Sequence, residues 1–216
     1  MNSIEKQNSY TTTNTYTTLN TLNSKTKNIW IVFHGIGYLS RYFINFFDTL
    51  KSEENYIIAP QAPSKYYLKN KYKHVGASWL TKENTRTEIA NVLNSIDSVL
   101  ENENLPSDPN FIVFGFSQGV SIATRWVALR KIKCSQLVCY AGGIPKELHA
   151  LDFKFLEKNN TKVSIIIGNK DEYLTNESMQ KENKKIEILF NGKAKFIRFE
   201  GGHEIKKDII TQIVKE

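Results

Sequence analysis

A serine with the surroundings of a catalytic nucleophile lies in the pentapeptide Gly115-Phe116-Ser117-Gln118-Gly119. The apolar run from Phe111 to Phe114 precedes it, and a stretch with helical spacing of apolar residues follows it. A strand, a tight turn and a helix are the context in which a G-x-S-x-G sequence presents its serine at the edge of a sheet. The helix N-terminus there favours the negative charge that develops when a hydroxyl attacks a carbonyl. Ser117 is therefore the candidate nucleophile.

A serine hydroxyl needs a base to remove its proton, so one of the histidines is expected close to Ser117. His203 follows the last predicted strand, on a loop that contains Gly201 and Gly202 and leads into the final helix. This position returns the chain to the carboxyl edge of the sheet and predicts that His203 is the base. Of the remaining histidines, His34 follows the first central strand, His74 lies in a lysine-rich loop and His149 lies in a linker.

An acid that orients the histidine is expected at a strand end between the serine and the histidine, in the chain order Ser, Asp, His. The apolar run from Val163 to Ile167 leads into Gly168-Asn169-Lys170-Asp171-Glu172, which makes Asp171 the first candidate. Glu172 and Asp152 are alternatives. The same residues partly match a guanine-specificity sequence, but the chain has no G-x-x-x-x-G-K-[ST] phosphate loop to accompany it.

Two backbone amides are needed to stabilise the oxyanion of an acyl-transfer reaction. The sequence His34-Gly35-Ile36-Gly37 directly follows the apolar run from Ile29 to Phe33, and His-Gly loops in this position supply one amide. The residue after the nucleophile supplies the other, so the predicted pair is the N–H groups of Ile36 and Gln118. Gly37 and Tyr38, at the end of the same loop, are predicted to contact the substrate.

The elements that position these residues alternate between short apolar runs and stretches of helical period. The remaining apolar runs are Tyr56 to Ala59, Leu137 to Tyr140 and Phe196 to Phe199. Strands that are apolar throughout are typical of a sheet covered on both faces, and alternation with helices indicates mostly parallel strands. The Thr-, Asn- and Tyr-rich residues 9–28 favour an antiparallel β-hairpin at the sheet edge. We expect one α/β domain, with a hairpin extension over residues 1–27 and a catalytic core over 28–216.

Composition limits the partners of the chain. The 29 Lys and Arg exceed the 22 Asp and Glu, but no basic run reaches five residues and no nucleic-acid-binding motif is present. We therefore expect a solvated basic surface and no nucleic-acid partner.

Cys134 and Cys139 would lie about 16 Å apart in an extended strand, too far to form a disulfide. With no signal-like start and no apolar run long enough for a membrane span, we expect a cytoplasmic protein without stable membrane association.

With these motifs in place, the chain resembles the phospholipase/carboxylesterase family, the small α/β-hydrolases that include acyl-protein thioesterases. The segments Pro60-Gln61-Ala62-Pro63 and Gly76-Ala77-Ser78-Trp79 add to the resemblance, which covers roughly residues 28–210. It implies an α/β-hydrolase fold and hydrolysis of esters or thioesters without a cofactor or metal. It also implies that Trp79 lines the acyl pocket.

Three functions remain open at this point, of which an esterase that acts on small-molecule esters comes first. A thioesterase or lysophospholipase is the second, and a non-catalytic binding protein of the same fold is the third. About 20 residues separate the run that ends at Tyr140 from the run that begins at Val163, which leaves little room for a lid. The lysine-rich loop of residues 65–74 is either simply solvated or selects acidic substrates. The sequence leaves open whether the protein is a monomer or a homodimer.

Overall fold

A computed structural model describes residues 3–173 and 176–214 of the chain. Its strands, in chain order, are β1 (Tyr16–Leu19), β2 (Asn28–Phe33), β3 (Asn55–Pro60), β4 (Ser64–Tyr67), β5 (Val75–Ser78), β6 (Asn110–Phe116), β7 (Gln136–Tyr140), β8 (Lys162–Gly168) and β9 (Lys195–Phe199). Its α-helices are α1 (Ser40–Phe43), α2 (Thr85–Glu103), α3 (Gln118–Arg130), α4 (Ala150–Lys158), α5 (Asn176–Leu189) and α6 (Lys207–Ile213). A 3₁₀ turn over Ile44–Phe47 continues α1.

The central sheet has seven strands in the order β1-β3-β2-β6-β7-β8-β9. The pairs from β3 through β9 are parallel, and only β1 is antiparallel to its neighbour. Because parallel strands point the same way, their carboxyl ends lie along one edge of the sheet. The prediction of a mostly parallel sheet is confirmed, and every predicted apolar run lies within a strand.

Helices cover both faces of this sheet, as predicted. In β2, Ile31 and Phe33 belong to a core cluster with residues of α2, α3, α4 and α5. Trp30 and Val32 alternate with them and belong to a second cluster with residues of α1 and α6. This alternation follows from the two-residue period of a strand. In the part of the chain that the structure describes, no helix is long and apolar enough to cross a membrane.

The N-terminal segment differs from the hairpin that its composition predicted. It contributes one strand, β1, which pairs with β3 and not with a second strand of the same segment. The left-handed residue Asn20 (φ 70°) ends β1, and its side-chain amide donates to Asn55 O at 2.8 Å. Beyond it, Thr26 N donates to Asn23 O at 3.1 Å, so a turn replaces the predicted second strand before β2 begins. In the same turn, Asn23 N donates to Thr26 Oγ1 at 3.0 Å and Lys25 N donates to Asn23 Oδ1 at 2.8 Å, and such local side-chain hydrogen bonds compete with strand pairing.

The two cysteines lie in or beside β7 and are unpaired. Both Cys134 and Cys139 are buried, and burial raises the pKa of each thiol to about 12. A thiol with such a pKa stays protonated near neutral pH and is a poor nucleophile. These residues therefore act as small apolar side chains of the core.

Candidate active site

Ser117 lies in the turn between β6 and α3, with a backbone conformation that residues other than glycine rarely adopt (φ 53°, ψ −120°). Such a conformation costs on the order of 1–3 kcal/mol and persists only where its surroundings enforce it. Ser117 N donates to Tyr140 O at 2.9 Å, and Val120 N donates to Ser117 O at 3.0 Å. These bonds hold the turn between the end of β7 and the first turn of α3.

Close backbone contacts around the turn require glycine at position 115, where a Cβ would lie 2.5 Å from Gly119 O, and at two further positions. A Cβ built on Gly119 would lie 2.1 Å from Phe33 O, and one built on Gly142 would lie 2.3 Å from Ser117 O. Any side chain at either position would collide with backbone. The pentapeptide motif identified Gly119 in advance, whereas nothing in the local sequence marked Gly142, which follows β7.

The side chains of Ser117, His203 and Asp171 form a chain of hydrogen bonds. Ser117 Oγ lies 2.9 Å from His203 Nε2, and His203 Nδ1 lies 2.8 Å from Asp171 Oδ2. A carboxylate only accepts hydrogen bonds, so Nδ1 carries the ring proton and Nε2 is free to accept the proton of the serine. The Asp171 side chain is 1% exposed, and its other oxygen accepts from Tyr173 N at 3.0 Å.

The loops that carry Asp171 and His203 are tied to each other by backbone and amide hydrogen bonds. They follow the neighbouring parallel strands β8 and β9. Lys170 N donates to Gly201 O at 2.8 Å, and Gly201 N donates to the side chain of Asn169 at 3.1 Å. The acid and the histidine are therefore held together by main-chain contacts as well as by their own hydrogen bond.

Two aromatic rings enclose the His203 imidazole. The Phe116 ring lies 5.2 Å from it, and the Tyr173 ring packs edge-on at 4.7 Å, both measured between ring centroids. Tyr173 is 71% exposed and stands on the solvent side of the histidine. Sequence reasoning missed Tyr173, because its only signal was its position two residues after Asp171.

The predicted oxyanion loop lies against the serine. A Cβ built on Gly35 would lie 3.1 Å from Ser117 Cβ, so the two segments are in contact. Within residues 3–173 and 176–214, the N–H groups of Ile36 and Gln118 have no backbone or side-chain acceptor. Gln118 is the first residue of α3, where amides are free and the helix dipole is positive. The role of these two amides as an oxyanion hole stays a prediction.

His34 supports this loop from within the core and is neutral. Its Nε2 accepts from Ala62 N at 3.1 Å, so the ring proton is on Nδ1, which donates to Gly35 O at 2.8 Å. His34 is fully buried, and burial lowers its pKa from 6.5 to about 4. The ring therefore fixes the Gly35 carbonyl and has no contact with Ser117.

Trp79 is buried behind the oxyanion loop, and its predicted place in the acyl pocket stays a prediction. It is 1% exposed, and its indole N–H donates to His34 O at 2.8 Å. Its backbone N–H donates to Gln118 Oε1 at 2.8 Å, and Gln118 Nε2 donates to Leu80 O at 2.7 Å. Trp79 therefore supports the oxyanion loop and the helix start from behind. A tryptophan has a large apolar ring and a single N–H donor, and at this buried position the ring packs in the core while the donor has a hydrogen-bond acceptor.

Gly37 and Tyr38 connect the oxyanion loop to β5. Gly37 N donates to Ala77 O at 2.8 Å, and Ala77 N donates to Tyr38 O at 3.2 Å. The Tyr38 ring packs edge-on against Phe116 at 6.1 Å between centroids. Both residues are half-buried, and their predicted contact with substrate stays a prediction.

In the described part of the chain, the other candidates from the sequence form no hydrogen bond with the side chains of Ser117 or His203. His74 is exposed in the loop between β4 and β5. His149 precedes α4, and its backbone N–H donates to Asp152 Oδ2 at 2.8 Å. Glu172 is exposed and accepts from His203 N at 3.4 Å, a backbone contact that leaves the imidazole to Asp171.

A cavity of about 250 Å³ lies between α4 and α5, and its lining includes Leu151, Phe153 and Ile188. None of the three hydrogen-bonded residues lines it. Ser117 is half-buried and opens to the surface at the carboxyl edge of the sheet. The geometry around Ser117, and not the size of a cavity, marks the candidate site.

Comparison with solved structures shows the same fold in several hydrolases. Acyl-protein thioesterase 2 from Zea mays is 15% identical, with a TM-score of 0.69, and the match covers 94% of this chain and 97% of that one. A phospholipase/carboxylesterase from Dyadobacter fermentans is 22% identical, with a TM-score of 0.65 and coverage of 95% and 97%. A carboxylesterase from Mesorhizobium loti is 13% identical, with a TM-score of 0.66 and coverage of 88% and 89%.

No curated protein matches the chain at a significant level. A sequence profile described as Phospholipase/Carboxylesterase matches residues 14–216, which is nearly the whole chain. The profile and the fold agree with the hydrolase-type arrangement of side chains at the carboxyl edge of the sheet. The chain belongs to the phospholipase/carboxylesterase family of α/β-hydrolases.

Proposed function

We propose that the protein is a serine esterase that hydrolyses carboxylic esters of small, soluble substrates through an acyl-enzyme intermediate on Ser117. The observation that carries the proposal is the hydrogen-bonded chain from Ser117 Oγ through His203 to Asp171, at 2.9 and 2.8 Å. Family membership supports a hydrolase of the esterase or thioesterase type. The amides of Ile36 and Gln118 complete the set of groups that acyl transfer requires.

The acylation step begins when Ser117 Oγ attacks the carbonyl carbon of the ester. His203 Nε2 takes the hydroxyl proton, and the Asp171 carboxylate stabilises the resulting imidazolium. The carbonyl oxygen becomes an oxyanion, which accepts hydrogen bonds from the N–H groups of Ile36 and Gln118. When the tetrahedral intermediate collapses, the bond to the alcohol oxygen breaks and His203 returns its proton to the leaving alcohol.

The deacylation step uses the same groups with water as the nucleophile. His203 Nε2 removes a proton from a water molecule, which attacks the acyl carbon and forms a second oxyanion in the same place. The bond to Ser117 Oγ then breaks, the proton passes to the serine, and the carboxylic acid leaves. We place all of these groups in one catalytic core over residues 28–216.

The proposal of small substrates is supported by the open surroundings of the serine. Residues 141–161, between β7 and β8, contain α4 and no other helix. This interval is short and leaves little room for a lid. Ser117 is half-buried, so a small ester reaches it without rearrangement.

Substitution of Ser117 tests the proposal. We expect the wild type to hydrolyse short-chain p-nitrophenyl esters, and the Ser117→Ala variant to fall to background. Ser121→Ala is the matched control, because Ser121 lies one helical turn on and its hydroxyl donates to Gln118 O at 2.8 Å. Full activity in Ser117→Ala would contradict the proposal.

A thioesterase is the second candidate, and the fold shared with a Zea mays acyl-protein thioesterase favours it. An acyl thioester presents the same carbonyl to Ser117 and needs the same two amides. Rates on matched oxygen esters and thioesters of increasing acyl length distinguish the two activities. A lysophospholipase would show its maximum with long acyl chains.

A further inference from the structure

The lysine hairpin, which consists of β4, β5 and residues 68–74 between them, packs against the oxyanion loop. Its β5 strand exchanges backbone hydrogen bonds with that loop, since Gly37 N donates to Ala77 O at 2.8 Å and Ala77 N to Tyr38 O at 3.2 Å. A Cβ built on Gly76 would lie 2.5 Å from Gly37 O. The hairpin is therefore in direct backbone contact with the segment that carries the Ile36 amide.

The hairpin also directs side chains towards this loop. A side chain at Gly37 would lie 3.8 Å from both the Tyr66 hydroxyl and Leu68 Cδ2. Tyr66 and Leu68 are two residues apart, as neighbours on one face of an extended chain are. Leu68 N donates to His74 O at 2.8 Å, which closes the turn of residues 69–73 just beyond the contact with Gly37. The turn thus begins beside the oxyanion loop.

The hairpin carries positive charge and contains no acidic residue. Residues 55–82 contain no Asp or Glu. In the same stretch the basic residues, all exposed, are Lys65, Lys69, Lys71, Lys73 and Lys82. Across the described ranges 3–173 and 176–214, none of these five pairs with a carboxylate, whereas Lys27 pairs with Glu54 at 2.9 Å and Lys170 with Glu200 at 2.5 Å.

Unpaired lysines that are close together attract an anion more than a single exposed lysine does. One exposed ion pair contributes only about 0.2–1 kcal/mol, but several cations of one sign beside a cleft add their fields and concentrate anionic ligands. Gly35 contacts Ser117. The Cα atom of Gly37 lies at most about 7.6 Å from the Cα atom of Gly35, because the two residues are two positions apart. A chain of four methylene groups has a comparable length, so an anion at its end can lie beside Gly37, which contacts the hairpin.

We infer that the lysine hairpin is a specificity site that selects esters with a carboxylate, or another small anionic group, a few bonds from the scissile carbonyl. The inference rests on the proposed esterase function and names the substrate class of the same site. The charged group interacts with Lys69, Lys71 and Lys73 while the carbonyl lies between Ser117 and the two amides.

A pair of substrates of equal length tests this specificity. The monoester 4-nitrophenyl adipate carries a free carboxylate, and its methyl ester is neutral. We expect the wild type to prefer the anionic ester in kcat/KM, and the triple variant Lys69→Gln, Lys71→Gln, Lys73→Gln to lose about tenfold on that ester alone. The preference should also shrink as ionic strength rises, since salt screens exposed charges. A second pair, 4-acetoxybenzenesulfonate and 4-nitrophenyl acetate, shows whether the anion belongs to the alcohol side instead.

The matched control removes three lysines from the opposite edge of the sheet. Lys25, Lys133 and Lys158 are exposed, and they lie near the amino ends of β2, β7 and β8. Their replacement by Gln changes the net charge equally and should leave the preference intact. An equal loss in both triple variants, or no preference in the wild type for either anionic ester, would overturn the inference.

Three measurements separate this inference from the proposed function. If Ser117→Ala abolishes hydrolysis of the neutral ester while the hairpin variant keeps the anionic preference, the esterase stands and the specificity site fails. Binding of adipate, followed by backbone amide NMR shifts, needs no turnover. Shifts at residues 66–74 that vanish in the hairpin variant support the inference, and their absence in the wild type contradicts it. Binding to anionic phosphatidylglycerol vesicles without any substrate preference would assign the hairpin to a membrane surface instead.

Discussion

Replacement of Asp171 by Asn removes one acceptor from a site where two donors converge. Asp171 Oδ2 accepts from His203 Nδ1 at 2.8 Å, and Oδ1 accepts from Tyr173 N at 3.0 Å. An Asn side chain has one acceptor oxygen and one NH₂ group. The backbone N–H of Tyr173 cannot reverse its role, so the Asn oxygen should face it and the NH₂ should face His203. The imidazole then carries its proton on Nε2 and cannot accept the proton of Ser117.

The size of the effect follows from this loss of the correct tautomer and of the buried charge. The Asp171 side chain is 1% exposed, so water cannot replace the carboxylate beside the imidazolium. In a catalytic triad this substitution typically lowers kcat by about 10⁴-fold, which corresponds to about 5.5 kcal/mol. We expect Asp171→Asn to lower kcat on p-nitrophenyl butyrate by about this factor with a much smaller change in KM.

The assay compares Asp171→Asn with Glu172→Gln under identical conditions. Glu172 is an exposed carboxylate one residue away, and it contacts only the backbone N–H of His203, at 3.4 Å. Its replacement should change kcat by less than about threefold, as expected for an exposed group. Asp171→Asn with more than a tenth of wild-type kcat, or a larger loss in Glu172→Gln, would refute the assignment.

Two further predictions concern the support of the site. Gly119→Ala places a Cβ 2.1 Å from Phe33 O, so the free energy of unfolding, measured in urea, should fall by about 2 kcal/mol or more. Gly143→Ala is the control, because its Cβ would lie 3.8 Å from the nearest atom, and it should leave the free energy of unfolding nearly unchanged. Equal stability of the two variants would contradict the packing argument. For His34, the folded pKa of about 4 lies below the unfolded value of 6.5, so the unfolded state binds the proton first. Stability is therefore complete above about pH 6.5 and falls by about 3 kcal/mol as the pH drops to about 4. A His34→Gln variant whose stability follows the same pH curve as the wild type would contradict this.

The positions of the three hydrogen-bonded residues could be predicted because they depend on simple topology. Apolar runs predicted parallel strands, and the carboxyl ends of parallel strands share one edge of the sheet. Ser117, Asp171 and His203 each follow such a strand, β6, β8 and β9, and the structure brings their side chains into contact. Its position directly after a predicted strand distinguished Asp171 from Asp152, which contacts the backbone at the start of α4.

Features that depend on contacts between distant segments could not be predicted. Gly142 is required by a backbone oxygen of Ser117, and His34 is held by the backbone of Ala62, 28 residues away. Neither contact leaves a periodic signal in the sequence. The hydrogen bond from the Trp79 indole N–H to His34 O, 45 residues away, is a third such contact.

The N-terminal segment illustrates a different limit. Thr- and Tyr-rich composition predicted extended structure, and β1 is indeed a strand. Strand propensity does not specify the partner, however, because pairing is decided by which edge is free. β3 offered a free edge, so β1 pairs there, and the residues after Asn20 form a turn in place of a second strand.

Covalent labelling of Ser117 tests the central claim most directly. An organophosphonate with a fluorescent leaving group should react once per chain, and peptide mass spectrometry should place the adduct on Ser117. The adduct should be absent in Ser117→Ala, strongly slowed in His203→Gln and unchanged in Ser121→Ala. Equal labelling of Ser117→Ala, or a wild-type Ser117 that does not react, would contradict the claim that this serine is an activated nucleophile.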